Sequence, residues 1–167
     1  NRSLKGRSYL LMESAPGLVN WHEYNKLKRP GVDRVNGLMA VAHGSDSVQY
    51  FQWRKSRAGH EKYHGAVVDH CGHENTRVFR DVAHLGEVLE KLSGVVGKYS
   101  DAKVAVVYDW ENGWAVKHFC GYNNLRRDYF DECVKWYAPF WKKGISVDII
   151  AMDEDYSKYD LADFHPR

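Results

Sequence analysis

Apolar residues fall in short runs separated by longer polar stretches. Ser8-Tyr9-Leu10-Leu11-Met12 is one such run, and it stops at Glu13-Ser14-Ala15-Pro16-Gly17. Its length and the turn residues behind it predict a buried strand, with Glu13 at its carboxyl end. Pro30-Gly31 then breaks the chain. From Val32 to His43, the residues Val35, Leu38, Met39 and Ala42 recur at intervals of three and four. That spacing predicts a helix with one apolar face, and Gly44 suits its left-handed cap. Ser47 to Trp53 is rich in β-formers and predicts a second strand, followed by a polar, basic loop over 54–59. Strand, long loop, helix and strand in this order predict a β-α-β unit with a parallel pair and a right-handed crossover.

A second helix is predicted over Val78–Leu92, where Val82, Leu85, Val88, Leu89 and Leu92 line one side. It ends at Ser93-Gly94, and the linker that begins at Gly97 sets a domain boundary, giving units 1–97 and 98–167. Val104-Ala105-Val106-Val107-Tyr108 is a near-continuous apolar run, as in a parallel strand covered on both faces. Asn124–Lys143 reads as a long helix carrying Tyr129, Phe130, Cys133, Trp136, Tyr137 and Phe140, with Pro139 expected to kink or shorten it. Val147–Met152 reads as the next strand, completing a second β-α-β unit. No third strand is predicted before Arg167, so this sheet is expected to be incomplete.

Charge narrows the list of partners. With 24 Lys and Arg against 22 Asp and Glu, the net charge is +2. That balance gives no reason to expect nucleic acid or an anionic membrane as partner. No apolar run approaches the ~18 residues of a membrane span. Asn1 to Gly6 shows neither an initiator Met nor an apolar signal core, so the chain reads as cut from a longer one, with a cytoplasmic location expected. Aromatic residues make up 14% of the chain, and aromatic faces stack on the C–H faces of sugars. At near-neutral charge a sugar is the better guess for a ligand. Cys71, Cys120 and Cys133 form no C-x-x-C pair, and three buried, reduced thiols are expected.

Four groups could carry chemistry. His60-Glu61-Lys62-Tyr63-His64 matches H-E-x-x-H, which in zinc peptidases sets two imidazoles one helical turn apart. Here Gly59 and Gly65 flank it and no stable helix is signalled, so zinc peptidase is kept only as an alternative and no metal is expected. Asp69-His70-Cys71-Gly72-His73-Glu74 is spaced too tightly for one tetrahedral site and reads as a hydrogen-bonded loop. Asp109-Trp110-Glu111-Asn112 reads as a helix start. Glu13 lies where (β/α)8 barrels place catalytic groups, at the carboxyl end of a parallel strand. By position alone an ordinary surface carboxylate would fit as well.

Tyr9-Leu10-Leu11-Met12-Glu13-Ser14, Val19-Asn20-Trp21, Ala40-Val41-Ala42-His43-Gly44, Val48 to Arg54 and His64 to His70 together resemble the β-galactosidases of glycoside hydrolase family 42. Tyr108-Asp109-Trp110-Glu111-Asn112 resembles the opening of the trimerisation domain of that family. The resemblance runs over nearly the whole chain. It implies an α/β fold class: the carboxyl-terminal portion of a (β/α)8 TIM barrel over 1–97, then a partial flavodoxin-like or amidotransferase-like α/β domain over 98–167. It also implies a retaining β-galactosidase that works by double displacement without a cofactor. Glu13 takes the role of nucleophile, and Trp21, Phe51, Glu61 and His64 those of substrate-binding residues. The partners implied are a β-galactoside and, in the parent enzyme, sister chains of a homotrimer. The acid/base Glu belongs to a barrel strand upstream of Asn1, so the 167-residue chain alone is expected to be inactive. A non-catalytic α/β assembly module is the competing expectation.

Overall fold

The computed structural model describes residues 1–120 and 128–163. The chain divides between Tyr99 and Ser100 into two units, with the amino-terminal Asn1 and Ser3–Gly6 grouped with the second.

The first unit is built from β1 (Tyr9–Ser14), α1 (Val32–Ala42), β2 (Ser45–Tyr50) and α2 (Arg77–Lys91). β1 and β2 are parallel, with Tyr9 opposite Ser45, Leu11 opposite Val48 and Ser14 opposite Tyr50. This is the β-α-β unit that the sequence pattern predicts. Thr76 starts α2 by accepting a hydrogen bond from the Phe79 N–H at 3.2 Å, which satisfies one free donor of the first turn. Leu85 of α2 is fully buried, and Gly37 of α1 makes room for it. A Cβ at position 37 would lie 2.6 Å from the Leu85 Cδ2. Burying such a leucine contributes about 1.5–3 kcal/mol.

Three expectations for this unit change. The stripe Val35, Leu38, Met39 and Ala42 does not form the buried face of α1: Val35, Met39 and Ala42 are exposed, and the buried positions are Asp33 and Gly37. Helix contact here requires the smallest residue, not the most apolar one, and a carboxylate with partners can replace a hydrocarbon. β1 is not buried on both faces either. Among the described residues β2 alone pairs with it, and Leu10 and Met12 are exposed. β2 ends at Tyr50, three residues before Trp53. Beyond it the backbone binds a buried run instead: Val67 N–H donates to the Gln52 carbonyl at 2.9 Å and Val68 N–H to that of Trp53 at 2.7 Å.

The second unit contains β3 (Val104–Val107), α3 (Trp110–His118), α4 (Tyr129–Lys142), β4 (Val147–Ile150) and β5 (Leu161–Asp163). Its strands are all parallel, in the order β4-β3-β5. The first strand in sequence is central and its successors flank it, which is how a flavodoxin-like sheet begins. Ala105, Val107 and Ile150 form the core, with Tyr156, Tyr159 and Ala162 packed against it.

The third strand corrects the expectation that none precedes Arg167. β5 has three residues, one of them charged, and lies at the sheet edge. A strand that short has no periodicity to read, and its pairing comes from β3. The Asp109 side chain accepts from the Glu111 and Asn112 N–H groups, so Asp109-Trp110-Glu111-Asn112 is a helix start as read. Asp128 caps α4 in the same manner. Residues 124–127, where the predicted helix begins, lie outside the described residues. Pro139 does not end α4, which continues to Lys142. Cys133 is buried, but Cys71 and Cys120 are exposed, contrary to expectation. Cys71 lies beside the positive-φ Gly72 of a turn and Cys120 beyond the end of α3, positions without a core to enter. Among the described residues no helix is long and apolar enough to cross a membrane.

Candidate active site

Two parallel strands end at one edge, and that edge gathers the candidate side chains of the first unit. Glu13 is the next-to-last residue of β1 and Phe51 the first after β2. The Phe51 N–H donates to the Ser14 carbonyl at 3.0 Å and holds the two exits together. Glu13 is exposed, and among the described residues its carboxylate makes no hydrogen bond or ion pair. Trp21, in the loop after β1, is 67% exposed, with its ring centroid 4.3 Å from that of His22.

The loops after the two strands are joined. Asn20 Nδ2 donates to the His60 carbonyl at 2.6 Å, and the Gly65 N–H donates to the Leu18 carbonyl at 2.6 Å. Only glycine fits at 65. A Cβ there would stand 2.6 Å from the Leu18 carbonyl oxygen and 2.8 Å from its nitrogen. The join buries His64, which is 4% exposed. Its Nδ1 lies 2.9 Å from the Gly65 carbonyl. A carbonyl only accepts, so Nδ1 carries the hydrogen. The Phe51 ring meets the imidazole edge-on, centroids 5.1 Å apart at 80°.

Glu61 belongs to a single 3-10 turn, His60–Tyr63. Its Oε2 is buried without a hydrogen-bond partner, and so is the Gln52 Nε2. Leaving a buried polar atom unpaired costs about 1–3 kcal/mol, more for a charge. The structure puts Phe51 and His64 in direct contact. Glu61 is tied to the pair through its backbone, its carbonyl accepting from the His64 N–H at 3.0 Å, while Glu13 and Trp21 stand on the exit of β1 and the loop after it.

The H-E-x-x-H match does not form a metal site. Its first imidazole is exposed, its second is buried, and the turn is not α-helical. Among the described residues no three His, Cys, Asp or Glu side chains gather as a metal set. The run from Asp69 to Glu74 is a hydrogen-bonded loop as read. Asp69 pairs with Lys55 at 3.3 Å, His70 Nε2 meets the Ser56 carbonyl at 2.8 Å, and the His73 ring accepts from the Asn75 N–H. Burial works against ionisation of Asp69, but the His70 N–H and the Lys55 charge together hold its carboxyl below the usual range.

A polar network behind the site has no counterpart in the sequence reading. Asp33 accepts from the Tyr50 phenol at 2.6 Å and pairs with Lys28 at 3.3 Å. Burial first, then the Asp33 bond and charge, pushes the Tyr50 phenol far above its ordinary pKa, so its proton stays on. Residues 28, 33 and 50 share no periodic spacing, so no pattern announces them. The second unit holds a separate cleft of about 390 Å³, lined by Tyr108, Trp110, Trp114, Lys117, Asp128 and Phe130 among others. Tyr129 forms part of its wall, its hydroxyl accepting from the Asp109 N–H at 3.0 Å.

A parallel sheet with its candidate groups at the carboxyl edge, followed by a second unit built on a parallel sheet, makes this an α/β chain. Residues 1–92 match the glycoside hydrolase 42 family described as β-galactosidase, and residues 102–162 match the β-galactosidase trimerisation domain. The chain belongs to glycoside hydrolase family 42. It is 56% identical over 156 residues to β-galactosidase Pbg of Clostridium perfringens, covering 93% of this chain and 23% of that protein. It is 50% identical over 161 residues to β-galactosidase BglY of Alicyclobacillus acidocaldarius, covering 96% of this chain and 23% of that protein. A solved structure of a catalytic mutant of Gan42B, a family 42 β-galactosidase from G. stearothermophilus, superposes with a TM-score of 0.93 at 48% identity, over 98% of this chain and 24% of that one. The chain thus spans about a quarter of the length of the relatives it matches.

Proposed function

We propose that the chain is part of a retaining β-galactosidase that releases terminal β-D-galactosyl residues by double displacement. The family match carries this reading, and the position of Glu13 and Phe51 at the joined carboxyl ends of β1 and β2 supports it. In this reading Glu13 attacks the anomeric carbon while a second carboxyl, about 5–5.5 Å away, protonates the leaving oxygen. Water, deprotonated by that second group, then frees the sugar. Glu61 accepts from galactose hydroxyls, and His64 Nε2 hydrogen-bonds to another. Phe51 and Trp21 supply apolar faces for the C–H side of the ring. Hydrogen bonds that shorten as the ring flattens lower the barrier and not merely KM. The second carboxyl lies outside residues 1–167, so the isolated chain is inactive in this reading.

The test uses the full-length enzyme that contains this segment. A 2-deoxy-2-fluorogalactosyl inhibitor is expected to label it once per chain, with peptide mapping placing the label on Glu13. A label on another side chain overturns the assignment.

The same reading makes the parent a homotrimer. The trimerisation-domain match over 102–162 supports this, as does the exposure of Trp110, Trp114 and Phe130 around the aromatic cleft. A cyclic trimer joins unlike patches, so a cleft on one copy receives a convex element of the next. In sedimentation of the full-length enzyme, Trp114→Ala is expected to move mass from trimer to monomer. An unchanged trimer would remove this cleft from the contact.

A further inference from the structure

We propose that Asp33 is a positioning residue: it ties the exits of β1 and β2 together so that Glu13 and the Phe51–His64 pair address the same sugar. The inference rests on the proposed role of Glu13 and goes beyond it to a residue that touches no substrate. Asp33 is the second residue of α1 and is 2% exposed. Its Oδ2 accepts from the hydroxyl of Tyr50, the last residue of β2 and the neighbour of Phe51. Its Oδ1 pairs with Lys28 Nζ, and that same Nζ donates to the carbonyl of Ala15, two residues beyond Glu13. Lys28 is fixed in turn, since Arg77 Nη2 donates to its carbonyl at 2.8 Å while Arg77 Nη1 pairs with Asp81 at 2.7 Å. An unbroken chain of polar contacts therefore runs from the exit of β1 through Lys28, Asp33 and Tyr50 to the exit of β2.

Two points favour geometry over stability as the purpose of this chain. Burying an ion pair is a weak way to stabilise a fold, since a hydrocarbon of the same size commonly does as well. Here Asp33 occupies a position on α1 that is 2% exposed, where an apolar side chain is the ordinary occupant. Moreover, the Phe51–Ser14, Gly65–Leu18 and Asn20–His60 bonds join the exits and the loops beyond them to each other, whereas the Asp33 bridge ties both exits to α1, so that neither strand end turns without the helix. Both ends of the Asp33 bridge attach within two residues of a site residue.

The full-length enzyme tests this through steady-state kinetics and the rate of labelling by the fluorinated inhibitor. Asp33→Asn keeps the shape and removes the charge that holds Lys28. It is expected to lower kcat and the labelling rate about 10–100-fold, with KM for an aryl β-galactoside within about threefold, because a shift near 1 Å at the reacting atoms costs up to about 100-fold. Tyr50→Phe removes one oxygen and is expected to lower kcat about tenfold. The double variant should be no slower than Asp33→Asn alone, since both break one chain of contacts. If Asp33→Asn does not fold, Tyr50→Phe decides alone. Full kcat and labelling rate in folded Tyr50→Phe, with or without a lower Tm, overturns the clamp while leaving Glu13 in its role. A wild-type enzyme labelled elsewhere than Glu13 brings down the nucleophile assignment, and the clamp with it.

Discussion

Replacing Glu13 by Gln in the full-length enzyme should lower kcat for an aryl β-galactoside by at least about 10⁴-fold, the scale on which loss of a catalytic nucleophile is felt. The amide has the shape of the carboxylate but almost none of its nucleophilicity, so the bond to the anomeric carbon does not form. Folding is a separate readout: within the described residues the Glu13 carboxylate has no hydrogen bond or ion pair to lose, and circular dichroism of the variant beside wild type shows that the loss of turnover is chemical. KM should stay within a few-fold, because the sugar is held by other groups. Glu23→Gln, an exposed carboxylate ten residues on, is the matched control and should retain full activity. A Glu13→Gln enzyme with ordinary turnover would leave the chemistry to another residue.

The second large effect is on stability. Gly65→Ala in the full-length enzyme is expected to destabilise the fold by about 2–3 kcal/mol, at the upper end of overpacking costs. The added methyl would stand 2.6 Å from one backbone atom and 2.8 Å from another, and backbone cannot turn aside as the end of a side chain can. Relief requires the loop after β1 to move away from the loop after β2, which lengthens the Gly65–Leu18 hydrogen bond. His64 and Phe51 lose their shared position in the same movement. Thermal unfolding of Gly65→Ala beside wild type checks this. A Tm within a degree of wild type would mean that the two loops are not held as tightly as the bond implies. Gly86→Ala, where nothing lies within 4 Å of the added atom, serves as control.

How much of this was legible in the sequence depended on whether a feature repeats. The alternation of β-rich runs with helical periods announces two parallel β-α-β units, because apolar residues at fixed intervals are what a covered sheet requires. β5 leaves no such signal because three residues make no interval. The buried face of α1 departs from the apolar stripe for a related reason. Counting apolar residues favours Val35 and Met39, whereas the contact with Leu85 of α2 selects Gly37 for its small size, and Asp33 is buried by its bonds to Lys28 and Tyr50. At the site, position told most about Glu13, since a carboxylate at a strand exit can be read from the end of an apolar run. The roles proposed for Glu13 as nucleophile and for Trp21, Phe51, Glu61 and His64 in sugar binding rest on family resemblance, not on any spacing. The Lys28–Asp33–Tyr50 network could not be read at all, because its members meet only after the chain has folded back on itself.

The free side of β1 bears on how such a polypeptide behaves in solution. One ladder of backbone donors and acceptors is unmade there, and Leu10 and Met12 face water. An edge of that kind recruits any extended segment that presents matching polarity and register. At high concentration it is a route to aggregation. Co-expressed with a second polypeptide that supplies an adjoining strand of matching register, it becomes a seam with a defined partner.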